Sequence, residues 1–398
     1  MVAPAGRPLL ADANAGQLAR TGAQREPILY ASCVDSPHLA NKPRVVVAMS
    51  GGVDSSVAAY LLHREGYDVI GVTMRLWSAD DRAITPDHQG CCSIDDIEDA
   101  RRVCQTIGIP HYVLNVEREF RAHVIDYFVA EYQRGRTPHP CIACNDRIKF
   151  DFLLNRATAM DADFIATGHY ARTASAGSGL HRLLRGVDTG KDQSYVLFGL
   201  TQRQLSRVLL PVGHHTKADI RQLAVEAGLH LANKADSQEI CFIPQDDYRA
   251  FLRDRVTPQR GQLVDTAGRV LGEHPGIEFF TVGQRRRLGV STGERLFVTR
   301  VEADTGRVVL GSEADLIHSG VRVAGVNYIG ETEPSGPVRV EAKIRYNARA
   351  LPATLEPSGT DAVLRFDEPQ RAITPGQAAV FYDGDEVIGG GYIEGPEG

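Results

Sequence analysis

The stretch richest in chemical possibility is Ser50-Gly51-Gly52-Val53-Asp54-Ser55-Ser56. It follows the apolar run RVVVAM over residues 44–49 and opens a helical pattern over residues 54–65. Two glycines let the backbone approach a phosphate closely, and a helix N-terminus supplies unpaired N–H groups at the positive end of its dipole. The hydroxyls of Ser50, Ser55 and Ser56 add donors. Asp54 cannot hold phosphate itself; it would cap the helix or hold Mg²⁺. No lysine follows the glycines as in a Walker loop, and the spacing is not G-x-G-x-x-G. The plain alternative is an ordinary turn between strand and helix.

The second signal is sulfur. The chain has seven cysteines, an odd count that does not suit a secreted disulfide scaffold and points to thiols in a reducing compartment. Cys141-Ile142-Ala143-Cys144 follows Gly135-Arg136-Thr137-Pro138-His139-Pro140. The prolines predict a loop running into a helix that starts near Asn145, and a thiol near a helix N-terminus ionises more readily. Cys241 lies 97 residues beyond Cys144 (241 − 144), in Asp236-Ser237-Gln238-Glu239-Ile240-Cys241-Phe242-Ile243. A lone cysteine is most often a core residue; two on a polar, proline-rich loop are not. Structural zinc would want four ligands, and no second C-x-x-C exists. Cys91-Cys92 reads as a bland loop pair, Cys33 and Cys104 receive no role, and His214-His215 read as solvated. His169, at a strand end, reads as a polar group of the site.

These residues need a frame. Strands are expected over residues 44–49, 68–74, 111–115 and 163–167, and helices over 54–65, 94–107, 120–134, 148–160 and 218–227, the last closed by Gly228. Strands alternating with helices imply a parallel sheet with right-handed crossovers, a Rossmann-like α/β domain. After residue 245 short strands and glycine turns mix. From about residue 320 polar and apolar residues alternate in short runs, as in VRVEAKIRY, which predicts an antiparallel β-barrel. The expected parts are a mobile extension over residues 1–41, a catalytic α/β domain over 42–245, a small α+β connecting domain over 246–317 and a barrel over 318–398. Arg7, Arg20 and Arg25 give the extension a faint likeness to a transit peptide, against its low serine content.

With 43% hydrophobic and 24% charged residues among 398, the composition is that of a folded globular chain and excludes a disordered or collagenous one. No apolar stretch approaches the ~20 residues of a membrane span. The net charge of −6 gives no whole-chain hint of nucleic acid, although a local basic patch would suffice.

The heptad resembles the pyrophosphatase-type ATP loop, whose enzymes adenylate a carbonyl oxygen and release pyrophosphate. The chain from about residue 42 onward further resembles the tRNA-specific 2-thiouridylase family in seven ordered stretches: AMSGGVDSS, GRTPHPCIACNDRIKF, ATGHYAR, LLRGVDTGKDQSYVLF, DSQEICFI, TVGQRRRLGV and TPGQAAVFYDGDEVIGGG. The resemblance implies ATP-dependent 2-thiolation of the wobble uridine of tRNA. It implies ATP contacts at Ala48, Met49, Ser50, Gly51, Gly52, Val53, Asp54 and Ser55, with Met74 beside the adenine and Gly168 nearby. It implies a nucleophile at Cys144 and a persulfide carrier at Cys241. It implies target-base contacts at His139, Pro140 and Cys141, and further tRNA contacts at Lys191, Asp192, Gln193, Arg345 and Tyr346. Arg285–Arg287 could track phosphates or be a solvated basic turn.

Many family members carry Asp where this chain has Cys141, so an acid–base role cannot be carried over there. Cys141, Cys144 and Cys241 instead make a candidate ligand set for a [4Fe-4S] cluster, whose open iron would hold sulfide. A Cys241 persulfide ending in a Cys144–Cys241 disulfide is the other route. Expected partners are tRNA and a sulfur donor such as a cysteine desulfurase or sulfur-relay protein, with no membrane, and the expected compartment is the cytoplasm. Two rivals are an ATP-dependent amide or C–N ligase with the same loop, and a non-catalytic RNA-binding cluster sensor.

Overall fold

Val45, Val46 and Val47 are each fully buried, as a central parallel strand covered by helices on both faces requires. They belong to β1 (Arg44–Ala48), and successive side chains feed two separate cores: Val46 one, Val45 and Val47 the other. The computed structural model describes residues 42–77, 94–177, 179–236, 240–243, 247–290 and 293–397. The expected extension over 1–41, with Cys33, and the Cys91-Cys92 pair lie outside them.

The first sheet also holds β2 (Asp68–Arg75), β3 (His111–Asn115), β4 (Phe164–Ala166) and, beyond the hairpin described below, a short strand at Val208–Leu209. Its order, with that last strand at one edge, is β3-β2-β1-β4 and then Val208–Leu209, and every neighbouring pair is parallel. Connections leave β1 in one direction and β4 in the other, so a crevice opens at the carboxyl ends of β1 and β4, where open α/β sheets take their ligands. One face is covered by α1 (Val53–Arg64) and α2 (Ile94–Ile107), with Val57, Leu61 and Val103 inward. The other is covered by α3 (Glu117–Phe120), α4 (Asp126–Gln133), α5 (Pro140–Ala143) and α6 (Leu153–Thr158). Between α3 and α4 and between α5 and α6 the helix widens into π-helical stretches, Arg121–Ile125 and Cys144–Phe152.

One local expectation is corrected. Pro138 and Pro140 were expected to hold both thiols on a loop, but helix starts at Pro140, so Cys141 and Cys144 share its opening turn. Proline at the first helical position costs nothing, because its missing N–H would be unpaired there anyway. His139, with φ −108° and ψ 96°, makes the extended entry.

A hairpin absent from the sequence reading, β5 (Ala171–Ser175) with β6 (His181–Arg185), leaves the catalytic domain and joins the barrel. After α7 (Gln202–Leu205) comes the edge strand β7 (Val208–Leu209), then α8 (Lys217–Glu226), opened by a reciprocal Thr216–Asp219 capping box and followed by Gly228 at φ 68°. The connecting part is α9 (Tyr248–Arg253) with a mixed sheet of β8 (Gly261–Asp265), β9 (Val270–His274), β10 (Phe297–Glu302) and β11 (Arg307–Gly311), in the order β10-β11-β8-β9.

The remaining strands are β12 (Ile317–Tyr328), β13 (Val338–Lys343), β14 (Leu351–Ser358), β15 (Asp361–Arg371), β16 (Ala378–Asp383) and β17 (Glu386–Pro396). They run antiparallel in the order β12-β15-β14-β13-β16-β17, and β17 returns to β12, so the six close a barrel without a free edge. Leu183 and Tyr195 of the catalytic domain share one apolar core with Val380, Tyr382 and Val387 of the barrel. The architecture is the α/β one expected, with a parallel Rossmann-like sheet, an α+β connector and an antiparallel barrel.

Candidate functional site

The loop after β1 is shaped by two close approaches. Gly51 has φ 70°, and a Cβ there would lie 2.5 Å from the Asp96 carbonyl oxygen. Gly168, just beyond β4, packs so tightly on the start of α1 that a Cβ would lie 2.6 Å from the Ser55 nitrogen and 2.7 Å from the Asp54 carbonyl carbon. Both glycines therefore have steric reasons, and together they leave backbone bare at the sheet's switch point. The Ser50 N–H donates to Ser55 Oγ at 3.1 Å, and the Ser55 and Ser56 hydroxyls donate to the Gly52 carbonyl at 3.2 and 2.8 Å. The serines thus fix the loop's own shape before they meet a ligand. Met49 and Met74 are buried, and the Met49 N–H donates to the Val72 carbonyl at 2.8 Å, which holds the loop's entry against β2.

Asp54 does not cap α1, whose N-cap Gly52 makes no side-chain capping bond. Its carboxylate instead receives Lys217 Nζ at 2.7 and 2.9 Å and the Tyr170 hydroxyl at 2.7 Å. Lys217 also reaches Asp236 at 2.8 Å, and Asp236 takes Lys191 at 2.7 Å and Arg221 at 3.2 Å. Burial opposes ionisation of Asp236, but Lys191 and Lys217 outweigh it and hold the carboxyl below its usual range. On the loop's other side Lys234 Nζ donates to the Gly51 carbonyl at 3.0 Å, Asp96 at 2.8 Å and Asp99 at 2.7 Å. A lysine, with three rotatable donors on one atom, suits such three-way duty better than arginine's fixed fork. The sequence reading missed Lys217, Lys234, Tyr170 and Asp236. A signal existed: an arginine-rich chain keeps only six lysines, and three of them (191, 217 and 234) meet around this loop.

Asp236 begins the segment that carries Cys241. Beyond the thiol, Phe242 packs edge-on against Phe128 at 5.4 Å and Phe120 at 5.8 Å, deep in the core. The same core contains Cys144, 8% exposed, with half-buried Cys241 packed against it. Cys141 is exposed. Among the described residues no three His, Cys, Asp or Glu side chains gather around one point closely enough to hold a single metal ion. Along the helix Cys141 is exposed while Cys144, one turn on, is buried in the core.

The barrel pins this loop. Arg136 bridges Glu131 at 2.7 Å and Glu394 of β17 at 2.8 Å, and the Thr137 N–H donates to the Pro375 carbonyl at 2.8 Å. Beside it, the rings of His139, Tyr195 and Tyr346 meet with centroids 5.6 to 6.0 Å apart, and Lys343 Nζ stands 5.6 Å from both tyrosine centroids. Pro140 is buried at their base. Burial pushes the His139 imidazolium down to about 4, so the ring is neutral near pH 7. Gln193 accepts from the Tyr170 N–H at 3.0 Å and bonds Tyr346, linking Tyr170, the partner of Asp54, to the barrel. Of the other expected tRNA contacts, Lys191 is engaged by Asp236, Asp192 holds its own turn by accepting from Ser194 and Gly186, and Arg345 donates to the Arg371 and Ala372 carbonyls. Tyr195 and Lys343 went unnoticed in the sequence.

His169 is buried, bonds Thr167 Oγ1 at 2.7 Å and is held far below its usual range by burial. Cys104 is a core thiol, pushed up to about 12 by burial, and a Cβ on Gly71 would touch its sulfur. His214 is half-buried rather than solvated, and burial takes it down to about 4. Arg285, Arg286 and Arg287 are exposed, with Arg287 at φ 60°.

The chain matches the family models described as tRNA methyl transferase HUP domain over residues 43–245, tRNA methyl transferase PRC-barrel domain over 249–312 and aminomethyltransferase β-barrel domain over 318–393. It is 51% identical to the tRNA-specific 2-thiouridylase MnmA of Pelotomaculum thermopropionicum, over 89% of this chain and 98% of that one. It is 48% identical to the protein of the same description in Lachnoclostridium phytofermentans, over 88% and 99%, and 50% identical to that of Carboxydothermus hydrogenoformans, over 89% and 98%. Among the described residues no helix is long and apolar enough to cross a membrane.

Proposed function

The chain belongs to the tRNA-specific 2-thiouridylase family, and from that premise we propose that Cys241 carries the transferred sulfur and Cys144 releases it. The enzyme is an ATP-dependent tRNA sulfurtransferase that 2-thiolates the wobble uridine. The uracil 2-oxygen is a poor leaving group, and bonding it to the α-phosphorus of ATP, with loss of pyrophosphate, makes it a good one. The bare backbone around Gly51, Gly52 and Gly168 and the N-terminus of α1 receive the phosphates. Asp54 would be the loop's carboxylate for Mg²⁺ bound with the nucleotide, which would supply neutralisation of charge on the departing pyrophosphate.

The terminal sulfur of a Cys241 persulfide then attacks C2 and AMP leaves. The Cys144 thiolate attacks the inner sulfur, breaking its bond to the sulfur now on C2. The thiocarbonyl remains on the base and a Cys144–Cys241 disulfide on the enzyme. His139, Pro140 and Tyr346 wall the space for a uridine taken out of its stack, and Lys191, Asp192, Gln193 and Arg345 shape the turns beside it. A sulfur donor such as a cysteine desulfurase or sulfur-relay protein reloads Cys241, and we place the reaction in the cytoplasm, with tRNA and reduced thiols.

The observation that carries the reading is Lys217, one ammonium shared by Asp54 of the ATP loop and Asp236 of the Cys241 segment. It holds the activating and sulfur-bearing segments side by side. The test is tRNA-dependent pyrophosphate release and thiolation, measured separately with a persulfide-generating donor. Cys144→Ser and Cys241→Ser should keep the first and lose the second. Wild-type thiolation by Cys241→Ser would overturn the relay, as would near-stoichiometric iron and acid-labile sulfide after anaerobic purification that vanish in Cys141→Ser.

A further inference from the structure

We propose that Cys141 is the resolving thiol of this enzyme, taking over the buried disulfide from Cys241 and presenting it to an external dithiol. The inference rests on the Cys144–Cys241 relay proposed above. That relay ends with an oxidised pair in which Cys144 is 8% exposed and Cys241 half-buried against the same core. The rate of thiol–disulfide exchange depends on which sulfur can be reached. Of the three thiols only Cys141 is exposed. It is also the nearest in sequence to Cys144: the Cys144 N–H donates to the Cys141 carbonyl, so the two share one helical turn.

Side chains three apart on a helix face each other with Cβ atoms about 5–6 Å apart. Closing a disulfide needs them near 4 Å, which C-x-x-C pairs at helix starts achieve in redox proteins generally. A thiolate held in the same turn acts at an effective concentration of order millimolar or above, against the far lower concentration of a protein reductant. Intramolecular exchange therefore comes first.

In the first step the Cys141 thiolate attacks Cys144 Sγ. A Cys141–Cys144 bond forms, the Cys144–Cys241 bond breaks, and Cys241 leaves as a thiolate that takes up a proton. Nothing is oxidised or reduced overall, and Cys241 is ready for the next sulfur. In the second step an external protein dithiol attacks exposed Cys141 Sγ, and the Cys144 thiolate leaves. The donor's second thiol then cleaves the mixed disulfide, so the donor ends as a disulfide and Cys141 and Cys144 end reduced.

The test compares steady-state thiolation by the full-length enzyme with a thioredoxin-type dithiol protein and with a small phosphine as reductant, taken as a ratio so that changed tRNA affinity cancels. Disulfides are mapped after one turnover by alkylation and non-reducing peptide mass spectrometry. Wild type should give a ratio near one, with Cys141–Cys144 linked and Cys241 alkylated. Cys141→Ser should lower the ratio about tenfold or more and accumulate Cys144–Cys241; Cys141→Asp should do the same, guarding against misfolding of one variant. An unchanged ratio with only Cys144–Cys241 in wild type overturns the resolving role and leaves the relay standing. Thiolated tRNA with no disulfide to Cys241 in Cys141→Ser overturns the relay, and the resolving role with it.

Discussion

Adding one methyl group at Gly168 should cost ATP binding while sparing the fold. An alanine Cβ would sit 2.6 Å from the Ser55 nitrogen, 2.7 Å from the Asp54 carbonyl carbon and 3.0 Å from Ser55 Cα. All three are backbone atoms of the first turn of α1, so no side chain can swing away to make room. Ordinary contact begins near 3.4 Å, so the strand end and the helix start must separate by about 0.8 Å (3.4 − 2.6). Overpacking of this kind costs about 1–3 kcal/mol, which a domain of this size survives. The displaced atoms are those expected to face the triphosphate, and a misplacement near 1 Å can cost on the order of 100-fold in rate. Calorimetric titration with ATP and tRNA-dependent pyrophosphate release would be measured beside urea unfolding. Gly177→Ala is the control, since a Cβ there meets nothing within 4 Å. The expectation is an ATP affinity at least tenfold weaker in Gly168→Ala and unchanged in Gly177→Ala. Wild-type ATP affinity in Gly168→Ala would refute the assignment of this crevice to the nucleotide.

Three further outcomes follow from the same structure. Asp146 is half-buried, its buried Oδ1 has no hydrogen-bond partner, and desolvation, eased by Arg147 and aided by Asp151, raises its pKa to about 7. Its folded form keeps a proton that the unfolded chain releases near 4, so the penalty is absent below about pH 4, grows through pH 7 and reaches about 4 kcal/mol at most. Urea midpoints from pH 4 to 9 should show Asp146→Asn more stable than wild type above pH 7 and equal to it at pH 4. Lys217→Ala leaves the Tyr170 hydroxyl to Asp54, while Asp236 keeps Lys191 and Arg221; unfolding titrations should show a loss of about 1–3 kcal/mol, largely recovered in Lys217→Arg. Tyr346→Leu removes one wall of the His139–Tyr195–Tyr346 cluster, and filter binding should show tRNA affinity weakened by about 1–3 kcal/mol with ATP affinity unchanged, whereas Tyr346→Phe keeps both.

The sequence was most informative where chemistry and chain direction coincide. Ser50 through Ser56 could be read as a phosphate loop because glycines, hydroxyls and a helix start are contiguous. The alternating barrel runs were likewise legible, since period-two patterning is local. What stayed hidden was pairing across distance. Nothing adjacent to Lys217 announces Asp54, 163 residues away, or Asp236. The β5–β6 hairpin escaped because its strand HRLLR carries the polar load of an exposed edge, and its partner is the distant β17. The C-x-x-C turn was misread because proline was weighed as a helix breaker, when its place at the first helical position makes it a helix starter.

Sulfur transfer to an activated base sets two demands that pull against each other. The adenylated uridine must be kept from water, which favours burial; the sulfur carrier must be reloaded and reset from outside, which favours exposure. In the proposed relay these demands fall on thiols of graded exposure: Cys144 lies in the core, Cys241 at its margin and Cys141 at the surface. The grading is enforced from both sides. Phe242, locked against Phe120 and Phe128, draws the Cys241 segment inward, while Asp236, held by Lys191, Lys217 and Arg221, ties its start to the ATP loop. Arg136, gripping Glu131 and Glu394 at once, fixes the entry to the Cys141–Cys144 turn against the barrel. A buried or half-buried pair of this kind adds little net stability once desolvation is counted, so its use lies in register. Together these pairs tie the loop after β1, the start of the Cys241 segment and the entry to the Cys141–Cys144 turn into the surrounding fold.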